Sequence, residues 1–196
     1  MTELKIEPGR TALVIIDLQK GIAATGRPLA PIDGAKVVEN ASKLVSALRA
    51  AGAFIVPVHV GSTDGKDMPS VNAEQSISMA SRHMAADWAD IVPELGVSDS
   101  DHVILKHNWS AFYGTDLDLQ LRRRHIDTIV LCGISTNIGV ESTARDAYHH
   151  NYNQIFATDA MAAMTKEEHD GTVGNIFPRI GIRATTTEII NALKPR

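Results

Sequence analysis

Short apolar runs and amphipathic stripes alternate along this chain, and the alternation predicts an architecture. Residues 11–16 read Thr-Ala-Leu-Val-Ile-Ile, apolar at odd and even positions alike. A run of that kind suits a parallel strand covered on both faces. Between Gly34 and Ala51, the residues Val37, Val38, Ala41, Leu44, Val45 and Leu48 fall on one stripe of a helix, and Gly52 closes it as a C′ glycine. The same reading predicts strands at 53–60, 102–106, 128–131 and 154–157, with helices at 116–124 and 137–149. A short last strand at 182–185 leads into a helix from Thr187, with Glu188 in its first turn.

The order strand, helix, strand, helix implies an α/β chain. The expected fold is a three-layer α/β/α sandwich around a central, mainly parallel six-stranded sheet of Rossmann-like type, with right-handed crossovers. Ligands in such sheets bind beyond the carboxyl ends of the strands. Asp17 follows the first strand, Lys106 ends the third, and the turn after Leu131 follows the fourth. All three are therefore expected on one edge. Residues 61–100 have mixed polarity and two prolines, Pro69 and Pro93. They read as a long insertion, with helix near 71–84, that covers the same edge. No repeat, low-complexity tract or linker divides the chain, so 1–196 is expected to be a single domain.

Composition narrows the partners. The 196 residues are 44% hydrophobic and 21% charged, with 19 Lys plus Arg against 23 Asp plus Glu, a net charge of −4. That balance argues against a nucleic-acid or anionic-membrane partner. No apolar run is long enough to span a bilayer, and the first residues lack a charged leader followed by an apolar core. The single cysteine, Cys132, cannot form an internal disulfide, which points to a reducing cytoplasm.

Three separated motifs carry candidate chemistry. The first is Leu13-Val14-Ile15-Ile16-Asp17-Leu18-Gln19. The second runs from Leu105 to Thr115 and reads Leu-Lys-His-Asn-Trp-Ser-Ala-Phe-Tyr-Gly-Thr. The third runs from Gly133 to Ala147 and reads Gly-Ile-Ser-Thr-Asn-Ile-Gly-Val-Glu-Ser-Thr-Ala-Arg-Asp-Ala. In order and approximate spacing they resemble the isochorismatase-like hydrolases, a family that includes nicotinamidases and other cysteine hydrolases. The resemblance covers most of the chain, from about Thr11 to Asp159.

In the cysteine branch the resemblance implies a triad of Asp, Lys and Cys, in which the thiolate attacks an acyl carbon. Asp17 and Lys106 stand at the first two positions. The third is Gly139, which has no side chain to attack with. Authentic isochorismatases also resemble this chain in having glycine there. Their substrate is an enol ether, whose carbon–oxygen bond becomes labile once the methylene carbon is protonated, so an acid and a water suffice. Asp17 is then the candidate general acid. Burial would raise its pKa toward neutrality, and Lys106 nearby would lower it.

The family further implies a non-proline cis peptide at Ile134–Ser135, and an anion hole formed by the backbone N–H groups of Ser135 and Gly139 at a helix N-terminus. Asn137 is a candidate helix cap and substrate contact. Gln19, Trp109 and Phe112 are candidate substrate contacts, with Tyr113 beside them, although aromatics after a strand also pack cores and interfaces. Cys132 belongs by alternation to a buried strand end, seven residues before the nucleophile position. No metal or other cofactor is expected. His59 survives from a metal-holding pattern, but proline (Pro57) occupies the expected Asp position, and His149 and His150 point in different directions on a helix. The run Arg122-Arg123-Arg124 sits at a helix C-terminus, where cations are favoured. Family members generally associate, so a homo-oligomer is expected.

Three functions stay open on this reading. One is non-covalent hydrolysis of a small metabolite such as an isochorismate-type enol ether. The second is an amidase of nicotinamidase or ureido-acid type, using activated water or Cys132. The third is a catalytically silent binding protein.

Overall fold

The computed structural model describes residues 4–74 and 85–193. Six strands form the sheet: β1 (Thr11–Ile16), β2 (Phe54–Val60), β3 (Ile104–Lys106), β4 (Thr128–Ile134), β5 (Asn153–Ala162) and β6 (Ile182–Ala184). Their spatial order is β3-β2-β1-β4-β5-β6, and every neighbouring pair is parallel. The helices are α1 (Lys20–Ala23), α2 (Gly34–Ala51), α3 (Leu117–Arg123), α4 (Glu141–His149), α5 (Lys166–Asn175), α6 (Phe177–Ile180) and α7 (Thr186–Asn191).

Two apolar clusters cover the two faces of the sheet, as strands buried on both sides demand. On one face Leu13, Ile15, Val130, Cys132 and Ile155 meet the α2 stripe and Ile189 of α7. On the other, Ala12, Val14, Ile16, Val58, Leu131 and Phe156 meet Leu117 and Leu121 of α3, Ala144 and Ala147 of α4, and Phe177 of α6. The ring of Phe156 stacks on Phe177 at 3.9 Å between centroids. Helix α2 begins where Asp33 accepts a 2.8 Å hydrogen bond from the Lys36 amide and ends at Gly52 in the left-handed conformation. Each fully buried Leu or Val of its stripe contributes about 1.5–3 kcal/mol through removal of apolar surface from water.

Several expectations need correction. β4 continues past Leu131 to Ile134. The expected end at Leu131 is overrun through Gly133, a glycine that the close approach to β1 requires: its φ is +124°, and a Cβ there would lie 2.1 Å from the Ile16 carbonyl oxygen. Strand β5 runs on to Ala162, after a register irregularity in its pairing with β4. The helix expected at 137–149 divides into a π-turn, Thr136–Val140, and α4. Helices α5 and α6 were not anticipated. Helix α5 buries only His169 and Thr172, so it has no apolar stripe to read. Its sequence signal is the capping box in which Thr165 and Glu168 satisfy each other's backbone amides. Of the helix expected near 71–84, residues 71–74 form no helix, and the rest lie outside the described residues.

Candidate active site

The order of strands reverses direction between β1 and β4, and a crevice opens there beyond their carboxyl ends. Asp17 leaves β1 with φ of +55°, a backbone region that few residues other than glycine adopt. Its amide donates to the Val58 carbonyl at 2.9 Å. This kink turns the carboxylate into the crevice. Lys106, at the end of β3, reaches across β2 and donates to Asp17 Oδ2 at 2.9 Å and to the Asn108 carbonyl at 3.0 Å. Both side chains are buried, Asp17 at 5% exposure and Lys106 at 2%. The second carboxylate oxygen of Asp17, Oδ1, has no hydrogen-bond partner among the described residues.

Burial pushes the Asp17 pKa up to about 6, against the lowering pull of the Lys106 charge and hydrogen bond. Desolvation disfavours the carboxylate more than one cation favours it. The group is thus poised to hold or release a proton near neutral pH, as a general acid or base must be.

The turn after β4 supplies the opposite wall. Ile134–Ser135 is a cis peptide. Ser135, Ile138 and Gly139 line the cavity, with the N-terminal end of the π-turn and α4 directed at it. Gly139 sits against the acid: a Cβ built on it would lie 3.2 Å from Asp17 Oδ2 and 2.9 Å from a methyl of Ile16. Thr143, one turn on, clamps this wall in place. Its hydroxyl donates to the Gly139 carbonyl at 2.7 Å and accepts from the Ala111 amide at 3.0 Å, which ties the Lys106 loop to the Gly139 turn. On the same turn, the Thr136 hydroxyl meets His169 Nδ1 at 2.9 Å.

The cavity measures about 390 Å³, a size for a small metabolite. Its apolar lining includes Ile22, Leu29, Met68, Trp88, Trp109 and Met164. Met68, Pro69, Ala85 and Trp88 belong to the 61–100 insertion, which therefore does reach the active-site edge.

The structure brings Asp17, Lys106, Ser135, Gly139 and Trp109 together, but not the other candidates. Gln19 is fully buried outside the cavity lining. Its amide bridges strand ends, accepting from the Val60 amide at 2.8 Å and donating to the Val60 and Trp88 carbonyls. Its role is to hold β2 and the insertion to β1. Phe112 is a core residue, stacked on His150 and packed against Tyr152. Asn137 is half-buried on the π-turn, makes no cap and does not line the cavity. Cys132 is wholly buried in the α2-side core, and burial drives its thiol pKa far above the ordinary range. Arg27, Asn108, Trp88 and Met164 line the site but were not foreseen, because they sit on loops without periodic pattern. The flanking histidines are engaged elsewhere: His59 Nδ1 lies 2.7 Å from the Ala89 carbonyl oxygen, and His107 Nδ1 lies 2.8 Å from that of Gly61. Among the described residues no three His, Cys, Asp or Glu side chains are grouped to hold a metal ion.

This geometry coincides with a family match. The isochorismatase domain model matches residues 11–188. The chain belongs to the isochorismatase family. It is 53% identical over 195 residues to the isochorismatase family protein YwoC of Bacillus subtilis, covering 99% of this chain and 100% of that protein. It is 30% identical over 212 aligned positions to the ureidoacrylate amidohydrolase RutB of Acinetobacter baylyi, covering 97% of this chain and 86% of that one. The structure of an isochorismatase family protein from Burkholderia thailandensis superposes with a TM-score of 0.92 at 40% identity, covering 99% of this chain and 100% of that chain. The chain is a hydrolase of this family, and the crevice at the β1/β4 switch point is where its fold places a ligand.

Proposed function

We propose that this enzyme hydrolyses a small metabolite without a covalent intermediate, with Asp17 as the proton donor and water as the nucleophile. One observation carries the reading. The side-chain position that faces Asp17 is Gly139, which carries no group to attack with and where even a Cβ would press on Ile16 and the Asp17 carboxylate. Cys132, the only thiol, is sealed in the core and strongly disfavoured as a thiolate.

The chemistry that needs only an acid and a water is cleavage of an enol ether of isochorismate type. Asp17 gives its proton to the methylene carbon, which creates an oxocarbenium ion. Water adds to the ether-bearing carbon of that ion and returns a proton to the Asp17 carboxylate. The hemiketal then collapses: its hydroxyl proton passes to the ether oxygen, the bond from that oxygen to the former oxocarbenium carbon breaks, pyruvate forms and the ring leaves as an alcohol. Lys106 holds the Asp17 carboxylate in position and stabilises it after proton transfer. The backbone amides of Ser135 and Gly139, at the positive end of the π-turn and α4, receive negative charge on the substrate. Trp109 covers the apolar body of the ligand. The similarity to a ureidoacrylate amidohydrolase favours a second reading, in which the substrate is a ureido acid and Asp17 first acts as base toward the water.

Wild type, Asp17→Asn and Cys132→Ala should be screened on isochorismate, nicotinamide and small ureido acids. The expected result is turnover by wild type and, within a few fold, by Cys132→Ala, with none by folded Asp17→Asn. Unchanged kcat in Asp17→Asn would remove Asp17 from the mechanism. Loss of turnover in folded Cys132→Ala, or labelling of Cys132 by a substrate-like electrophile, would overturn the non-covalent route.

We also propose that the chain assembles as a homo-oligomer in a reducing compartment. Trp109, on the cavity lining, and Tyr113, four residues on, are 62% and 69% exposed, an aromatic surface that a second copy could cover.

A further inference from the structure

The cavity has a charge that the hydrolytic mechanism does not use. Its lining carries two formal cations, Arg27 and Lys106, against one acid, Asp17. Lys106 is committed to Asp17. Arg27 makes no side-chain hydrogen bond or ion pair with any described residue. A nearby acid, Asp67, is outside the lining and is held by the Ser62 hydroxyl and the Thr63 amide, with His107 at 3.5 Å. The cavity is therefore electropositive in a chain of net charge −4, and a proton on Asp17 makes it more so.

The loop that carries Arg27 is shaped by a local turn and tied down just beyond it. Gly26 takes φ of +69°, and the Arg27 amide donates to the Thr25 hydroxyl at 3.3 Å. Further on, Ala30 and Ala163 exchange two backbone hydrogen bonds, of 2.9 and 2.8 Å. This joins the loop to the segment after β5, where Met164 also lines the cavity. On the other side, Trp88 packs so close to Gly21 that a Cβ there would lie 2.1 Å from its ring. Arg27 thus stands on an anchored loop and shares the cavity lining with the apolar Trp88, Leu29 and Met164.

We propose that Arg27 forms a carboxylate subsite in this cavity, so that the substrate is a small organic acid with a flat apolar body, held by its carboxylate while its scissile bond lies at Asp17. A guanidinium presents two parallel N–H donors that match the two oxygens of a carboxylate. An uncharged ligand would leave that cation to water alone. The inference rests on the reading that this cavity is the active site, and it selects among substrates: it admits enol-ether and ureido acids and excludes neutral amides such as nicotinamide.

The test uses probes that cannot be hydrolysed. Binding of benzoate and of acetophenone, its neutral counterpart in shape, is measured by ligand-observed NMR titration of wild type, Arg27→Met and Arg27→Lys. Wild type should bind benzoate more tightly than acetophenone. Arg27→Met should lose about ten- to a hundredfold in benzoate affinity, the worth of a charge-assisted pair, with acetophenone binding unchanged within about twofold. Arg27→Lys, which keeps the charge but not the fork, should fall between them. Arg27 is exposed and holds no other group in place, so both variants should fold. Benzoate binding no tighter than acetophenone in wild type, or full benzoate affinity in Arg27→Met, overturns the proposal. Because neither probe reacts, the outcome is independent of the proton-transfer role of Asp17: Asp17→Asn should be inactive yet still prefer benzoate.

Discussion

Placing a cysteine at Gly139 tests the geometry of the site directly. The glycine does not occupy a left-handed conformation, so its backbone tolerates a side chain. A Cβ would meet the Ile16 methyl at 2.9 Å, Asp17 Oδ2 at 3.2 Å and the Trp109 carbonyl oxygen at 3.5 Å. Only the first contact is well inside the carbon–carbon optimum of about 3.5–4.0 Å. Ile16 is fully buried, so it can yield only by shifting its neighbours. The expected cost is about 1–3 kcal/mol of stability, typical of one overpacked methyl group, which denaturant titration would read. The sulfur must then occupy the space beside Asp17 that water and substrate need. Displacement of reacting groups by about 1 Å costs about a hundredfold in rate, and native turnover should fall by that order. The new thiol would also lie near the Lys106 ammonium and at the N-terminal end of a helical segment, both of which favour thiolate. Iodoacetamide labelling followed by peptide mass spectrometry should therefore modify residue 139 much faster than buried Cys132. An inert thiol at 139 in a folded variant would mean that the position does not face the acid, and the case for a water nucleophile would lose its basis.

Turnover should depend on pH through Asp17. If it is the acid, kcat falls as pH rises through about 6, and Lys106→Met, which removes the charge and hydrogen bond that lower the pKa, moves that fall to higher pH; a rate that rises through pH 6 would instead make Asp17 a base. The same titration affects stability. The Asp17 pKa is raised on folding from its ordinary value of 3.8 to about 6, so the stability contributed by its proton is present below about pH 4 and lost as pH rises through about 6; the whole loss is on the order of 3 kcal/mol, of which about 2 kcal/mol should be read by denaturant titration at pH 4.5 and 7.5, and none if the group is ionised throughout. Thr143→Val keeps the shape of the side chain but strands the Ala111 amide and Gly139 carbonyl, so unfolding free energy should drop by about 1–3 kcal/mol; a neutral effect would show that other groups or water satisfy both. Sedimentation at micromolar concentration should show an oligomer, and Tyr113→Lys should weaken it if that aromatic surface is the interface; a monomer throughout would refute the association.

Much of the site was legible because its chemistry stands where strands end. A continuous apolar run followed by Asp17 placed that carboxylate at the sheet edge, and the sheet order brought Lys106 to it across β2. The α2 stripe was equally readable, since its whole apolar face packs on one side of the sheet. The errors share a cause. Gln19 and Phe112 have residue types that suit a binding site, but type does not reveal which way a side chain turns. Gln19 satisfies buried backbone groups, and Phe112 fills the space between α3 and Tyr152. Helix α5 was hidden because its stability comes from a capping box rather than an apolar face.

Glycine shows the limit of pattern reading most clearly, because the same residue type does opposite work at two places in one motif. At Gly133 the missing side chain is a demand of the backbone: β4 passes β1 so closely that a Cβ would strike the Ile16 carbonyl at 2.1 Å, and φ is in any case +124°. No substitution is tolerable there whatever the reaction. At Gly139 the backbone makes no such demand, and the nearest obstacles are a side-chain methyl and the Asp17 carboxylate. On the proposed mechanism the absence of a side chain at 139 is a statement about chemistry, whereas at 133 it is a statement about folding. The distinction comes from distances that no spacing in the sequence encodes. On the mechanism proposed above, the choice of water over a thiol then rests on a single residue beside Asp17.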